Sequence, residues 1–265
     1  MVAAAVVSRK DAASSVVPVT SATIESRAAV LDRLRHHCRG VEGQLLLAVP
    51  ASVLAEIDDA LASAEDALRV VMIYGTPAAV RAATDHDISD LATVARTWDV
   101  TPGFTLSVAD ETGGLMAPNA LARGDDAGTG VVFGDPRLYH LASAWFMAHP
   151  WEMGTEWYIA GPPVLPATYE DFRQATLQAT LALDADRRVR VDATAKPTGE
   201  DTGFDSVTGQ LVATRQQFVY PKLSSVYGET TIVFRDEDGR HTIGGMDAYL
   251  EDYEAKSVTL EPMTA

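Results

Sequence analysis

Near the C-terminus the chain runs Gly244-Gly245-Met246-Asp247-Ala248-Tyr249-Leu250-Glu251-Asp252-Tyr253-Glu254-Ala255. This stretch gathers the groups that grip a small molecule. The glycine pair closes a short extended run, Arg240 to Ile243. Without a Cβ the backbone there takes positive φ, or comes close to a ligand, at little cost. Met246 offers a soft apolar contact and Tyr249 a ring with a polar tip. Glu251, Asp252 and Glu254 set three carboxylates around a second ring, Tyr253. Carboxylates accept hydrogen bonds from hydroxyls and rings stack on C–H faces, which is chemistry suited to a sugar. The same residues also fit an ordinary hairpin with an acidic surface strand.

The spacing Gly-Gly-Met-x-x-x-x-Glu-Asp-Tyr-Glu-Ala resembles the C-terminal signature of the TrmB family of archaeal sugar-responsive transcription regulators. The resemblance implies that Gly245, Met246, Tyr249, Leu250 and Glu251 line a sugar pocket. Tyr249 departs from the smaller aliphatic residue of that family, so the resemblance does not fix the sugar. It extends over residues 22–262, through a tryptophan-rich segment, a Leu-Pro, a helix and a glycine-containing strand (Val207 to Val212). It implies a phospholipase D-like α/β sandwich domain followed by a small antiparallel β-sheet or barrel domain. Members of the family carry a winged helix-turn-helix, for which no pair of short helices with a basic face fits ahead of the first strand. DNA contact is therefore expected only through a partner or a missing winged-helix domain.

Other chemistries fit the residues less well. A phospholipase D site needs His-x-Lys, because histidine is the nucleophile and lysine holds phosphate. None of the histidines (36, 37, 86, 140, 149, 241) has a lysine two residues on. His36-His37-Cys38 would point about 100° apart on a helix and could not converge on one metal ion. Asp85-His86-Asp87 reads as a loop that caps a helix. Gly128-Thr129-Gly130 with Gly134 lacks dinucleotide-loop spacing. Carboxylate pairs are too frequent for a glycosidase pair to stand out. No catalytic residue, metal or cofactor is expected.

The elements that must position the turn come in two groups. Ala, Val, Ser and Thr without period fill the start, read as a flexible tail over residues 1–21. A helix is expected over 22–40, its stripe being Ile24, Ala28, Leu31, Leu34 and Cys38 among four arginines. That narrow stripe needs a partner, either the first domain's own sheet or the same helix of a second copy; the family resemblance implies the second, so a homodimer is expected. Residues 41–160 alternate strands and helices, with 78–99 read as helix and loop, in a βαβ rhythm. The helix Asp135 to Met147 is expected to bury Leu138, Leu141, Ala142 and Trp145. The aromatic cluster Trp145, Phe146, Trp151, Trp157 and Tyr158 fits a domain junction or core rather than a ligand platform, and Gly161-Pro162-Pro163 a linker. Residues 161–265 hold a helix opened near Thr168, then five or so short strands.

Composition bounds the rest. The chain has 265 residues, 47% of them hydrophobic, with a net charge of −16 from 37 acidic and 21 basic residues. Such a surface repels nucleic-acid phosphates and suits a salt-rich cytoplasm. The single cysteine, Cys38, permits no intrachain disulfide. No run reaches the roughly 18 apolar residues of a membrane span, and a cytoplasmic protein without membrane contact is expected. The combined expectation is a non-enzymatic, sugar-sensing effector domain; the alternative is a stand-alone interaction or dimerisation protein without ligand.

Overall fold

The computed structural model describes residues 21–100, 103–110, 113–125, 128–220, 229–246 and 248–263. Apart from Ser21, the expected tail over residues 1–21 lies outside the described residues. In chain order the first group is β1 (Ser21–Ile24), α1 (Arg27–Gly40), β2 (Gln44–Pro50), α2 (Ala51–Leu54), α3 (Asp58–Ala62) and β3 (Leu68–Tyr74). Then come α4 (Pro77–Ala83), α5 (Ile88–Leu91), β4 (Val94–Trp98), β5 (Phe104–Ala109), β6 (Gly113–Pro118) and α6 (Asn119–Arg123). β7 (Gly130–Phe133), α7 (Pro136–Ala148), α8 (Pro150–Met153) and β8 (Thr155–Ile159) complete it. The second group is β9 (Ala167–Tyr169), α9 (Phe172–Asp184), β10 (Val189–Pro197), β11 (Asp205–Arg215), β12 (Thr231–Arg235), β13 (Arg240–Gly244) and β14 (Tyr253–Pro262).

The first group forms an eight-stranded sheet in the order β1-β7-β6-β5-β2-β3-β4-β8. β2, β3 and β4 run parallel at its centre. Every residue of β2 and β3 is buried, as expected where helices cover both faces of parallel strands. The two-residue strand period divides them. Leu45, Leu47, Val49, Val71 and Ile73 face one core, with Val30, Leu31, Leu34 and Cys38 of α1. Leu46, Ala48, Val70 and Met72 face the other, with Tyr139 and Phe146 of α7 and Trp151 of α8.

The second group closes into a five-stranded barrel, because β14 pairs with both β13 and β10, while β9 adds to its outside. β13 and β14 meet in parallel at Ile243↔Tyr253 and Gly244↔Glu254. The chain must therefore loop back between Gly244 and Tyr253, and that return is the Gly-Gly-Met stretch. α9 joins the two groups. Ala175, Ala179 and Ala182 pack on the barrel, whereas Leu177 and Leu181 belong to the core under α7.

Several expectations need correction. The helix over 22–40 begins at Arg27: Ser26 is its N-cap, accepting from Ala29 N at 3.2 Å. Ala22 to Ile24 instead pair with β7, and Thr23 and Ile24 are the β-branched residues that strands favour. The stripe residues Leu31, Leu34 and Cys38, together with Val30, are buried in the chain's own core, so the seam proposed for a second copy is occupied. Residues 78–99 hold a strand, β4, besides two short helices. Asp171, not Thr168, caps α9, accepting from Gln174 N at 2.8 Å; Thr168 lies in β9. Asp87 occupies an N-cap position, but its side chain makes no capping bond. On α7, Leu141 is 67% exposed, while Tyr139 and Phe146 are buried in its place.

Candidate functional site

The return loop after β13 is tight. A Cβ on the buried Gly244 would lie 2.6 Å from Ala248 Cβ and 2.9 Å from Glu251 Oε2. Nothing larger than hydrogen fits there, which explains the first glycine of the pair. Gly245 backs onto α9, where an added Cβ would lie 3.1 Å from Phe172 Cβ. Ala248 N donates to Gly245 O at 3.1 Å and closes the turn. Glu251 thus lies directly over the glycine backbone, and its Oε1 accepts the Thr231 hydroxyl at 2.6 Å.

The three carboxylates have separate tasks. Asp252 Oδ2 accepts from the Thr242 amide and hydroxyl, each at 2.8 Å, and its own amide donates to the Thr242 hydroxyl at 2.9 Å. Glu254 is buried and paired with Lys196 at 2.7 Å. Tyr253 packs among Phe234 and His241 of the barrel. These three residues hold the loop, which leaves Glu251 as the carboxylate beside the glycines. Met246, Tyr249 and Leu250 are 57%, 81% and 64% exposed. The structure brings Gly245 and Glu251 together through Gly244, and sets Met246, Tyr249 and Leu250 on the solvent side of the same loop. Asp247 lies outside the described residues.

A cleft of about 220 Å³ lies between the two halves of the chain. Arg173, next to Phe172, and Thr230, next to Thr231, line it together with Gln44 and Ser143. Gln44 is placed by Asp110, whose Oδ1 accepts from the Gly43 and Gln44 amides at 2.8 and 2.9 Å. Arg173 Nη1 donates to Gln44 Oε1 at 3.0 Å and to Tyr139 OH at 2.9 Å. Gln217 and Phe218 form another wall, and their segment is clamped to the first half. Trp151 Nε1 donates to Gln217 O at 3.1 Å, and the fully buried Arg96 lies between the Trp151 and Tyr220 rings, 4.6 Å from each centroid. Arg96 Nη1 also donates to Trp151 O at 2.7 Å. These cleft residues carry no sequence motif; only the aromatic cluster around Trp151 pointed to a junction here.

Among the described residues, the acid–histidine grouping compact enough to suggest a metal is Asp58, Asp59 and His86. Asp59 is exposed while Asp58 and His86 are half-buried, and internal hydrogen bonds from Thr84 and His86 engage the carboxylates. His37 is held by Ser107 Oγ at 2.7 Å, and burial, aided by Arg33, lowers its pKa to about 4. Burial likewise raises the Cys38 thiol to about 12, so it is no nucleophile.

An α/β sandwich joined through one shared helix to a small barrel defines a two-subdomain protein. Family models described as "Transcriptional regulator TrmB, EBD N-terminal subdomain" and "TrmB/TrmBL1, EBD C-terminal subdomain" match residues 21–158 and 164–263. The chain belongs to the TrmB family of transcriptional regulators, as an effector-binding domain. No curated protein sequence matches it. Solved structures similar to it include TrmBL2, described as an archaeal chromatin protein with a novel mode of DNA binding. That likeness has 16% identity and TM-score 0.40, covering 52% of this chain and 54% of that one. The chain thus spans about half the length of TrmBL2. Nuc from Salmonella typhimurium, a phospholipase D family member, is similar at 16% identity and TM-score 0.42, over 54% of this chain and 99% of its own. NucT from Helicobacter pylori is similar at 9% identity and TM-score 0.37, over 52% and 99%.

Proposed function

We propose that this effector domain senses a sugar, binding a mono- or disaccharide without catalysis at Gly245, Met246, Tyr249, Leu250 and Glu251. The observation that carries the reading is the Glu251 carboxylate lying over the Gly244 backbone. One of its roughly four acceptor directions is taken by Thr231, and the others suit sugar hydroxyls. The exposed Met246, Tyr249 and Leu250 supply apolar cover beside it. Lack of any His-x-Lys pair supports binding rather than phosphodiester chemistry. The reading places the chain in regulation of sugar metabolism. DNA contact would belong to a winged-helix segment or a partner, because the net charge of −16 opposes phosphate. A homodimer, on this reading, would use a surface other than the buried stripe of α1. Among the described residues no helix is long and apolar enough to cross a membrane.

Thermal denaturation in molar salt against a panel of mono- and disaccharides tests the reading. A ligand at about 100 times its Kd stabilises by roughly 2.7 kcal/mol, so a binder raises Tm in wild type and not in Glu251→Ala. A folded Glu251→Ala variant with the full shift would remove this residue from the site. The second reading, an interaction protein without ligand, draws on the same exposed Met246, Tyr249 and Leu250, since apolar patches also mark partner surfaces. A chain that ignores every sugar would favour it.

A further inference from the structure

The antiparallel half of the large sheet is covered unequally on its two faces. α1 and α6 pack on β5 and β6 from one side, where Ile24, Leu115, Ala117 and Val132 join their core. α7 packs from the other side, over Leu106, Val108 and Phe133. Strand alternation puts Thr23, Val131, Met116 and Phe104 on the α7 side as well. Thr23 pairs with Val131, Val131 with Met116, and Met116 with Leu106, two residues beyond Phe104.

An antiparallel sheet with one open face ordinarily turns polar side chains to water. The barrel does so: β10 buries Val189, Val191 and Ala193 and turns Arg190, Asp192 and Thr194 outward. The open part of the large sheet does not. Val131 and Phe104 are 42% and 43% exposed, and Met116 is half-buried beside them. Leu141 stands exposed on α7 between the half-buried Leu138 and Trp145, one turn away on either side. The apolar side chain that sequence periodicity assigned to the core is thus the outer edge of an uncovered apolar face.

Charge selects the occupant. β1, β5, β6 and β7 contain no charged residue and α7 contains no acid, in a chain that is 22% charged with a net charge of −16. Arg137, at the start of α7, is paired with Asp135 at 2.8 Å. Like charges brought together oppose association. A partner as acidic as this chain therefore docks only where both surfaces are free of acid. A second copy meets that condition by symmetry, because a two-fold axis presents the same face from each side. A basic partner would be drawn to the acidic surfaces elsewhere.

We propose that two copies of the chain meet on this face, through Val131, Met116 and Phe104 of the sheet and Leu141 of α7. The inference goes beyond the sugar reading and does not depend on it. It gives a homodimer a surface in place of the buried stripe of α1.

Sedimentation equilibrium of the full chain over a range of salt tests it, with wild type, Leu141→Glu, Val131→Glu, Val164→Glu and Tyr249→Glu. Wild type should dimerise more tightly as salt rises, because screening removes the repulsion and leaves the apolar contact. Leu141→Glu and Val131→Glu should each weaken the dimer at least about tenfold, since the axis buries the new carboxylate twice. Both should keep the far-UV circular dichroism of wild type. Val164→Glu, at an exposed position of the linker, should leave the dimer unchanged; an equal loss there would overturn the assignment of the face. A dimer that weakens with salt is held by ion pairs and overturns the apolar contact. Dimers lost in Tyr249→Glu yet kept in Leu141→Glu would move the contact to the loop after β13 and overturn it too. A wild type that is monomeric at every concentration overturns the second copy. Slow maleimide labelling of Leu141→Cys in that monomer, where the native Cys38 is buried, would then assign the cover to the chain's own residues 1–20.

Discussion

Gly244 and Glu251 define each other: the carboxylate occupies the space that a side chain at 244 would need. Gly244→Ala should therefore push the loop outward, cost about 1–3 kcal/mol as overpacking does, and weaken any sugar response together with stability. Chemical denaturation and ligand titration of that variant read the two effects separately. His37 gives a pH prediction of fixed sign. Its folded pKa, about 4, is below the unfolded value near 6.5. The unfolded chain therefore takes up the proton first as pH falls. Stability should decline from pH 6.5 towards 4, by up to roughly 3 kcal/mol from this residue, and then level for this group. His37→Gln should lose less stability than wild type between pH 7 and 4.5 in urea titrations; equal losses would refute the assignment. At this scale the glycine pair and the acidic run were legible, but the division among the acids was not. Asp252 is used by Thr242 and Glu254 by Lys196, and the second pairing follows from β10–β14 register across about 60 residues of sequence.

α9 bears the load between the subdomains, with alanines towards the barrel and Leu177 and Leu181 towards the sandwich. Leu177 is fully buried, so Leu177→Ala should cost about 2–5 kcal/mol and lower Tm in one cooperative step, since the helix that loses packing on the sandwich also carries the barrel core's alanines. Two separate melting transitions would show that the helix does not couple them. The apolar period of α9 was visible in the residues. Its double role was not, because alanine and leucine faces both read as one apolar helix. β4 was missed for a related reason. Arg96 interrupts an apolar run and reads as surface, yet it is buried between Trp151 and Tyr220. Only the aromatic partners brought by α8 and by the segment before Tyr220 make that burial possible. The helix over 22–40 was read too long because Ile24 keeps helical spacing; Ser26, a strong N-cap type, carried the true boundary.

Across the whole molecule the charge of −16 works against compactness at low salt, where the Debye length is about 30 Å at 0.01 M, and is screened at 1 M, where it is about 3 Å. Tm should rise steadily with salt over that range; a flat response would contradict self-repulsion as a significant term. Removing residues 1–40 should unfold the sandwich, because Val30, Leu31, Leu34 and Cys38 of α1 are core residues. The charge was legible from composition, and so was the order of an α/β part before a β-rich part. Sheet or barrel stayed open in the sequence for the second part, and the choice between them depends on β14 pairing with β10 and meeting β13 in parallel through two residue pairs. That meeting creates the loop on which the functional account stands. The direct measurement is calorimetric titration of the tightest sugar from the thermal screen into wild type and Glu251→Gln at matched salt. The account predicts saturable binding to wild type and at least a tenfold loss in the variant, the scale of one charge-assisted hydrogen bond at about 1.5–3 kcal/mol. Equal affinity in a folded Glu251→Gln protein would contradict it.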